Sequence, residues 1–419
     1  MQLTDGKFRM AGDIDPLELC KKYGTPLYVY DGEKIEGQYK RITSSFNVKK
    51  LEIHYACKAN TNLSVLQLLN DLGSGLDCVS IEEVELGIKA GFDPKVITFT
   101  PNSVGIEEYE KAVEIGVKVN VDSISILEQF GQKFSNYPVS IRINPHVMAG
   151  MYSQISVGHI DSKFGISIHQ LPLVMRVIEE TKQKVNGIHM HTGSDILDVD
   201  IFLNAAEILL DVARNFEDLD FIDFGSGFKV KYKMNDYETN IEEFGRVFSE
   251  RFNEFCNEYG KDLTLIFEPG KFLVSESGYF FVKANVVKQT TSTVFICVDS
   301  GFNHLIRPMF YNAFHRIENI TDPNGRQRIY TVVGNICESD TFGVNRRIAE
   351  TIEGDILCMY NAGAYCFAMA SNYNSRVRPA EVLIYKGKDY LIRKRETIKD
   401  ILRNQVHVNV LQNEPALKD

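Results

Sequence analysis

From about residue 50 to residue 270 the sequence repeats one unit, a short apolar run followed by a longer amphipathic one. No other feature limits the possible folds as strongly. The short runs are LEIHYAC (51–57), GLDCV (75–79), VITFT (96–100), VKVNV (117–121), VSIRIN (139–144), GIHMH (187–191), FIDFG (221–225) and LTLIFE (263–268). Their length and β-branched content read as strands. Between them, SIEEVELGIKAG, GIEEYEKAVEIG, SISILEQFGQKF, LPLVMRVIEETKQK and VDIFLNAAEILLDVARNF read as helical patterns. Ser80 and Glu83 have capping-box spacing at the start of the first of these. Eight strands, the first seven each followed by a helix, predict an α/β fold, the (β/α)8 TIM barrel, whose usual size is ~250 residues. A doubly wound open sheet explains the alternation less well, because no G-x-G-x-x-G follows the first strand.

At 419 residues the chain is too long for that barrel alone. After residue 278 the pattern changes to YFFVKANVVKQ, TVFICVD, RIYTVVG, DILCMYNAG, EVLIYKG and DYLIRK, strand-like runs broken by turns and charges. They predict a C-terminal, mainly β domain. A further strand candidate, PLYVYD, lies within the first 31 residues, and its place is left open. A net charge of −10 argues against a general nucleic-acid binder. The first residues lack an apolar leader and no later run is long enough to span a bilayer, so a cytoplasmic protein without membrane contact is expected. Eight cysteines include no C-x-x-C pair, and Cys78, Cys297 and Cys358 sit in apolar runs. Buried, reduced thiols are expected rather than disulfides or a zinc site.

The active site of such a barrel lies at the C-terminal ends of its strands. Four polar stretches fall there: Lys58 after strand 1, HMHTGS with His191 and Ser194 after strand 6, Gly225–Ser226–Gly227 after strand 7, and EPGK (268–271) after strand 8. Each alone has an ordinary reading, as a solvated lysine, a tight turn or a strand end. His189 and His191 share a face of an extended strand and invite a metal reading, as in barrel hydrolases. Without a nearby carboxylate or cysteine partner they make a weak ligand set. Together the four stretches match one ligand. The Gly225–Gly227 backbone N–H groups and the Ser194 hydroxyl suit a phosphate. His191 suits the face of a flat ring, Glu268 a protonated pyridine nitrogen, and Lys58, made neutral by burial, an aldehyde. Those are the handles of pyridoxal phosphate.

On these residues the sequence resembles the barrel-type pyridoxal-phosphate-dependent amino-acid decarboxylases, and among them most closely those acting on diaminopimelate. The resemblance runs over nearly the whole chain: YACKAN (55–60), DSKFGI (161–166), HMHTGS, DFGSGF, EPGK, VDSGFNHLIRPMFYNAFH (298–315), ICESD (336–340) and GAYCFAMASNYNSRVRPAEV (363–382). It implies that residues 1–30 join the β domain, that residues 31–277 form the cofactor-binding barrel, and that residues 278–419 form the C-terminal β domain. It also implies a head-to-tail homodimer with active sites at the interface. Lys58 would carry the cofactor as a Schiff base, with His191 on the ring face and Glu268 on the ring nitrogen. Ser194, Gly225, Ser226 and Gly227 would hold the phosphate, and Tyr365 would touch both cofactor and substrate. Cys337, from the partner subunit, would be the proton donor. Glu338 would read the distal ammonium of the substrate, and Arg307, Tyr311 and Lys271 its distal carboxylate. Ser226 replaces a third glycine of the family pattern, and Lys271 replaces an arginine.

The resemblance implies decarboxylation of meso-2,6-diaminopimelate to L-lysine and CO2. Alternatives are a decarboxylase of another basic amino acid (ornithine, arginine or D-lysine), a catalytically silent regulator, and a metal-dependent hydrolase using His189 and His191. No metal is expected.

Overall fold

The computed structural model describes residues 1–147, 162–191, 193, 197 and 199–408. Eight parallel strands form a closed barrel: Leu51–Ala56, Gly75–Cys78, Ile97–Phe99, Lys118–Val121, Val139–Asn144, Val185–His189, Phe221–Asp223 and Thr264–Phe267. Closure is explicit, because the eighth strand pairs with the first and the fifth pairs with the sixth. Each of the first seven strands is followed by a helix, from Leu63–Asp71 to Ile241–Tyr259. The predicted strands lie within about two residues of the observed ones. The main difference concerns the sixth, which ends at His189, so His191 stands beyond it in the loop.

Local chemistry accounts for the helix starts. Ser80 Oγ accepts the N–H of Glu83 at 3.2 Å and opens the helix Ile81–Ala90. The Glu83 carboxylate accepts the N–H of Val79 at 2.9 Å, one residue earlier than a capping box places it. Under the last two strands lies a phenylalanine cluster. Phe224 and Phe248 stand edge to face at 4.8 Å, and Phe46 packs on Phe267 at 4.9 Å. Aromatic packing of this kind fixes the strand ends that carry the glycine loop and Glu268.

The second domain is built on a sheet ordered Thr341–Ala349, Gln327–Val333, Val294–Val298, Gly278–Gln289, Leu27–Asp31, Ala380–Tyr385 and Lys388–Arg393. The unplaced N-terminal strand is the keystone here. Leu27–Asp31 runs antiparallel to Gly278–Gln289 and parallel to Ala380–Tyr385, joining two distant parts of the chain. The strand Thr341–Ala349 was not anticipated. Its alternation is broken by Asn345, Arg346 and Arg347, with Asn345 at φ 50° and a register shift opposite. All eight cysteines are free, and Cys78 and Cys358 are buried, whereas Cys297 is only partly so.

Candidate active site

Lys58 sits in a short 3-10 turn, Cys57–Ala59, immediately after the first barrel strand. Cys57, the first residue of that turn, is buried. The Lys58 amine donates to Asp77 Oδ2 at 3.0 Å, and Asp77 is buried on the neighbouring strand. Burial pulls the amine down from its ordinary value. The negative charges of its acidic neighbours, Asp77 first and then Glu268, outweigh that pull and hold it above the usual lysine range. The expectation of a neutral Lys58 is therefore corrected for the free protein: its acidic neighbours keep it an ammonium.

Glu268 directly follows the eighth strand and accepts a hydrogen bond from His189 Nε2 at 3.1 Å. Burial pushes the Glu268 carboxyl up, but His189 and Lys58 prevail and keep it ionised, below the usual carboxylate range. Asp223 lies beside it on the seventh strand, and burial together with the Glu268 charge pushes its carboxyl well up. Of two adjacent acids, one carries the charge and the other keeps its proton. His189, Asp223 and Glu268 bring ligand atoms within 4.8 Å of one another. The carboxylate partners that the sequence lacked near the histidines thus arrive from two other strands. His189 belongs to this group and His191 does not.

His191 faces the glycine loop. Its Nδ1 accepts the N–H of Ser226 at 3.2 Å, which makes Nε2 the protonated nitrogen of the neutral ring. Burial, then the charges of Arg142 and Lys58, lower it to about 3, so the ring is neutral at physiological pH. The loop itself depends on Gly225. Its φ is +61°, and a Cβ there would stand 2.6 Å from both His191 Nδ1 and the Met190 carbonyl oxygen. Ser226 is not in the left-handed region, so a side chain is tolerated where the family pattern has glycine. Two of the three N–H groups assigned to a phosphate are already engaged. That of Gly225 goes to Asp223 Oδ1 at 2.8 Å and that of Ser226 to His191. The anion cradle is accordingly narrower than the sequence suggested.

One pocket gathers Lys58, His191, Ser226, Gly227, Glu268, Lys271 and Tyr365. Tyr365 reaches it on a backbone of φ 57°, rare for a non-glycine residue, with its N–H bonded to Ala59 O at 2.8 Å. Sequence reasoning missed Asp77, Arg142 and Asp223, of which Asp77 and Arg142 line the pocket. The signal was a charged residue inside each of the apolar runs GLDC, VSIRIN and FIDFG. Ser194 lies outside the described residues. Arg307, Tyr311, Cys337 and Glu338 do not line this pocket. Cys337 is exposed, its Sγ accepting from Asn374 Nδ2 at 3.2 Å, while Tyr373 Oη donates to Glu338 Oε1 at 2.9 Å.

Residues 32–275 match the family described as "Pyridoxal-dependent decarboxylase, pyridoxal binding domain". The chain is 38% identical to the diaminopimelate decarboxylase of Methanothermobacter thermautotrophicus, over 97% of each. The chain belongs to the diaminopimelate decarboxylase family. It is a pyridoxal-dependent decarboxylase, and its cofactor is pyridoxal phosphate. The diaminopimelate decarboxylase of Campylobacter jejuni is 35% identical, covering 92% of this chain and 97% of that one. The fold agrees. A crystal structure of the M. jannaschii diaminopimelate decarboxylase with L-lysine superposes with a TM-score of 0.87, at 30% identity over 97% of this chain and 98% of that one. The Helicobacter pylori enzyme with L-lysine gives 0.84 at 34% identity, over 92% and 98%.

The pocket fits the family's cofactor. Among the described residues, Asp77 Oδ1, Thr100 Oγ1 and His189 Nδ1 are buried at the barrel mouth without a hydrogen-bond partner. Buried polar atoms are rarely left so, and a polar ligand at the mouth would satisfy them. The three-residue group at His189 has the spacing of a cation site, but it lies within the segment that the family devotes to pyridoxal.

Proposed function

We propose that the chain removes CO2 from meso-2,6-diaminopimelate to give L-lysine. The observation that carries this is the convergence of Lys58, His191, Ser226, Gly227, Glu268 and Tyr365 on one pocket in a chain matching a diaminopimelate decarboxylase over 97% of its length. Pyridoxal phosphate, when bound, supplies an aldehyde for the substrate amine and a ring that takes up the electron pair released with CO2. Lys58 would hold the aldehyde carbon, Ser194 and the Gly225–Gly227 loop the phosphate, the loop through the N–H of Gly227 rather than the engaged ones of Gly225 and Ser226, and Tyr365 the cofactor edge. The ionised Glu268 carboxylate would keep a proton on a pyridine nitrogen held beside it, and the neutral His191 side chain would pack against the ring. Orientation is the protein's main contribution, since the scissile bond must stand perpendicular to the ring plane.

In this reading the barrel, residues 31–277, binds the cofactor, and residues 1–30 with 278–419 form the second domain. A homodimer completes the site. Cys337, delivered by a second copy, returns a proton to the reacting carbon, and Glu338 reads the distal ammonium. The exposure of Cys337 and its absence from the Lys58 pocket support this arrangement. Arg307, Tyr311 and Lys271 receive the distal carboxylate, Arg307 through its planar fork. Eight free thiols and the lack, among the described residues, of a helix able to cross a membrane fit a cytoplasmic enzyme.

The test is incubation of the pyridoxal-phosphate-loaded protein with meso-diaminopimelate, ornithine, arginine and D-lysine, scoring CO2 and product. CO2 from another amino acid but none from diaminopimelate would overturn the substrate while sparing the chemistry. Borohydride trapping should place the cofactor on a peptide containing Lys58.

A further inference from the structure

Arg307 opens the short helix Arg307–Tyr311 and is buried. A guanidinium presents its N–H groups in one plane, so whatever grips one nitrogen also sets the direction of the others. Its Nη1 donates to Tyr232 Oη at 2.7 Å and points at His315 Nε2 at 3.4 Å. The same guanidinium lies 4.9 Å from the centre of the Tyr232 ring, and the Tyr232 and His315 rings meet edge to face at 5.6 Å. Tyr232 belongs to the loop after the seventh barrel strand, and His315 lies two residues before the β-domain strand Ile317–Asn319. The arginine is thus held from both domains.

His315 is built to accept. It has no exposed surface, and its Nδ1 donates to the carbonyl of Tyr360 at 2.8 Å. That bond puts the ring proton on Nδ1 and leaves Nε2 a lone pair facing Arg307. Burial, then the Arg307 charge, lowers His315 to about 3, which keeps the lone pair available across the working pH range. Neither Tyr232 nor His315 lines the Lys58 pocket.

We propose that Tyr232 and His315 are positioning residues for substrate selectivity: they fix the Arg307 guanidinium in the orientation that receives the distal carboxylate of a diamino dicarboxylic acid. The inference rests on the reading of Arg307 given above. A diamino monocarboxylic acid of the same chain length has no group for Arg307 to meet, so its binding is indifferent to the pair.

The test compares Tyr232→Phe, His315→Gln, His315→Leu and Arg307→Gln as holoenzymes. Readouts are KM and kcat for meso-diaminopimelate and binding of D-lysine, followed by the cofactor absorbance. Tyr232→Phe keeps the ring and is expected to raise KM roughly ten-fold, the scale of one hydrogen bond to a charged group. Its kcat should stay within about two-fold, because binding remote from the reacting carbon is lost uniformly, and D-lysine binding should change as little. His315→Gln retains an acceptor and should lose less than His315→Leu. If either His315 variant fails to fold, Tyr232→Phe alone decides. Unchanged KM in Tyr232→Phe beside a raised KM in Arg307→Gln overturns the positioning role and leaves the Arg307 reading intact. Unchanged KM in Arg307→Gln overturns both. Equal losses for diaminopimelate and D-lysine show general packing and overturn the proposal.

Discussion

Lys58 keeps its proton because Asp77 and Glu268 surround it with negative charge that exceeds the penalty of burial. The amine is therefore held in place, charged and aimed, until its surroundings change. Asp77→Asn removes the largest upward influence and should lower the Lys58 pKa. Reductive labelling of Lys58 by an aldehyde in the cofactor-free protein, followed against pH, should then reach half its maximal rate at lower pH than in the parent. An unshifted profile would show that Asp77 does not control the amine. Asp77 was overlooked in the sequence because a charged residue in a four-residue apolar run carries no sign of its partner. Lys58, 19 residues away in sequence, becomes that partner through the parallel pairing of the first two strands.

At the scale of elements, two short features govern the site's geometry. The helix Ile81–Ala90 begins directly after the strand that carries Asp77, and its start is fixed by Ser80. Ser80→Ala leaves the Glu83 N–H without its cap and should cost ~1 kcal/mol. The denaturant midpoint should fall at constant slope. At the opposite end of the barrel, Glu52 binds Lys118 Nζ at 2.7 Å and His54 Nε2 at 2.8 Å, where barrels place stabilising rather than catalytic groups. Burial works against the Glu52 carboxylate, but His54 and Lys118 lower it from 4.5 to about 2. A carboxyl depressed by folding stabilises above its unfolded value, and that contribution is lost as pH falls through the folded one. The stability gap between the parent and Glu52→Gln should accordingly be full above pH 4.5 and close toward pH 2. Denaturant titrations at stepped pH measure it, and a gap independent of pH would refute the assignment.

For the whole molecule, the question is how Cys337 and Lys58 come to act together. If two copies share each site, Lys58→Ala and Cys337→Ala proteins should each be nearly inactive. Mixing them under subunit exchange should restore activity. Random pairing makes half the dimers mixed, each with one intact site, so about a quarter of parent activity is expected. No recovery despite demonstrated exchange would place both residues in one subunit's site.

The eightfold alternation determined the barrel, since a period of short apolar runs and amphipathic helices leaves few other ways to bury both. Lys58, His191, the Gly225–Gly227 loop and Glu268 were legible for the same reason, because strand ends in a barrel share one face. Only the tertiary structure decided the electrical state of those groups. His189 rather than His191 meets Glu268, and Asp223 rather than Glu268 keeps its proton. Likewise Leu27–Asp31 found its place only through partners about 250 and 350 residues away. Burial and charge pairing depend on distances between strands remote in sequence, and periodicity along the chain carries no record of them.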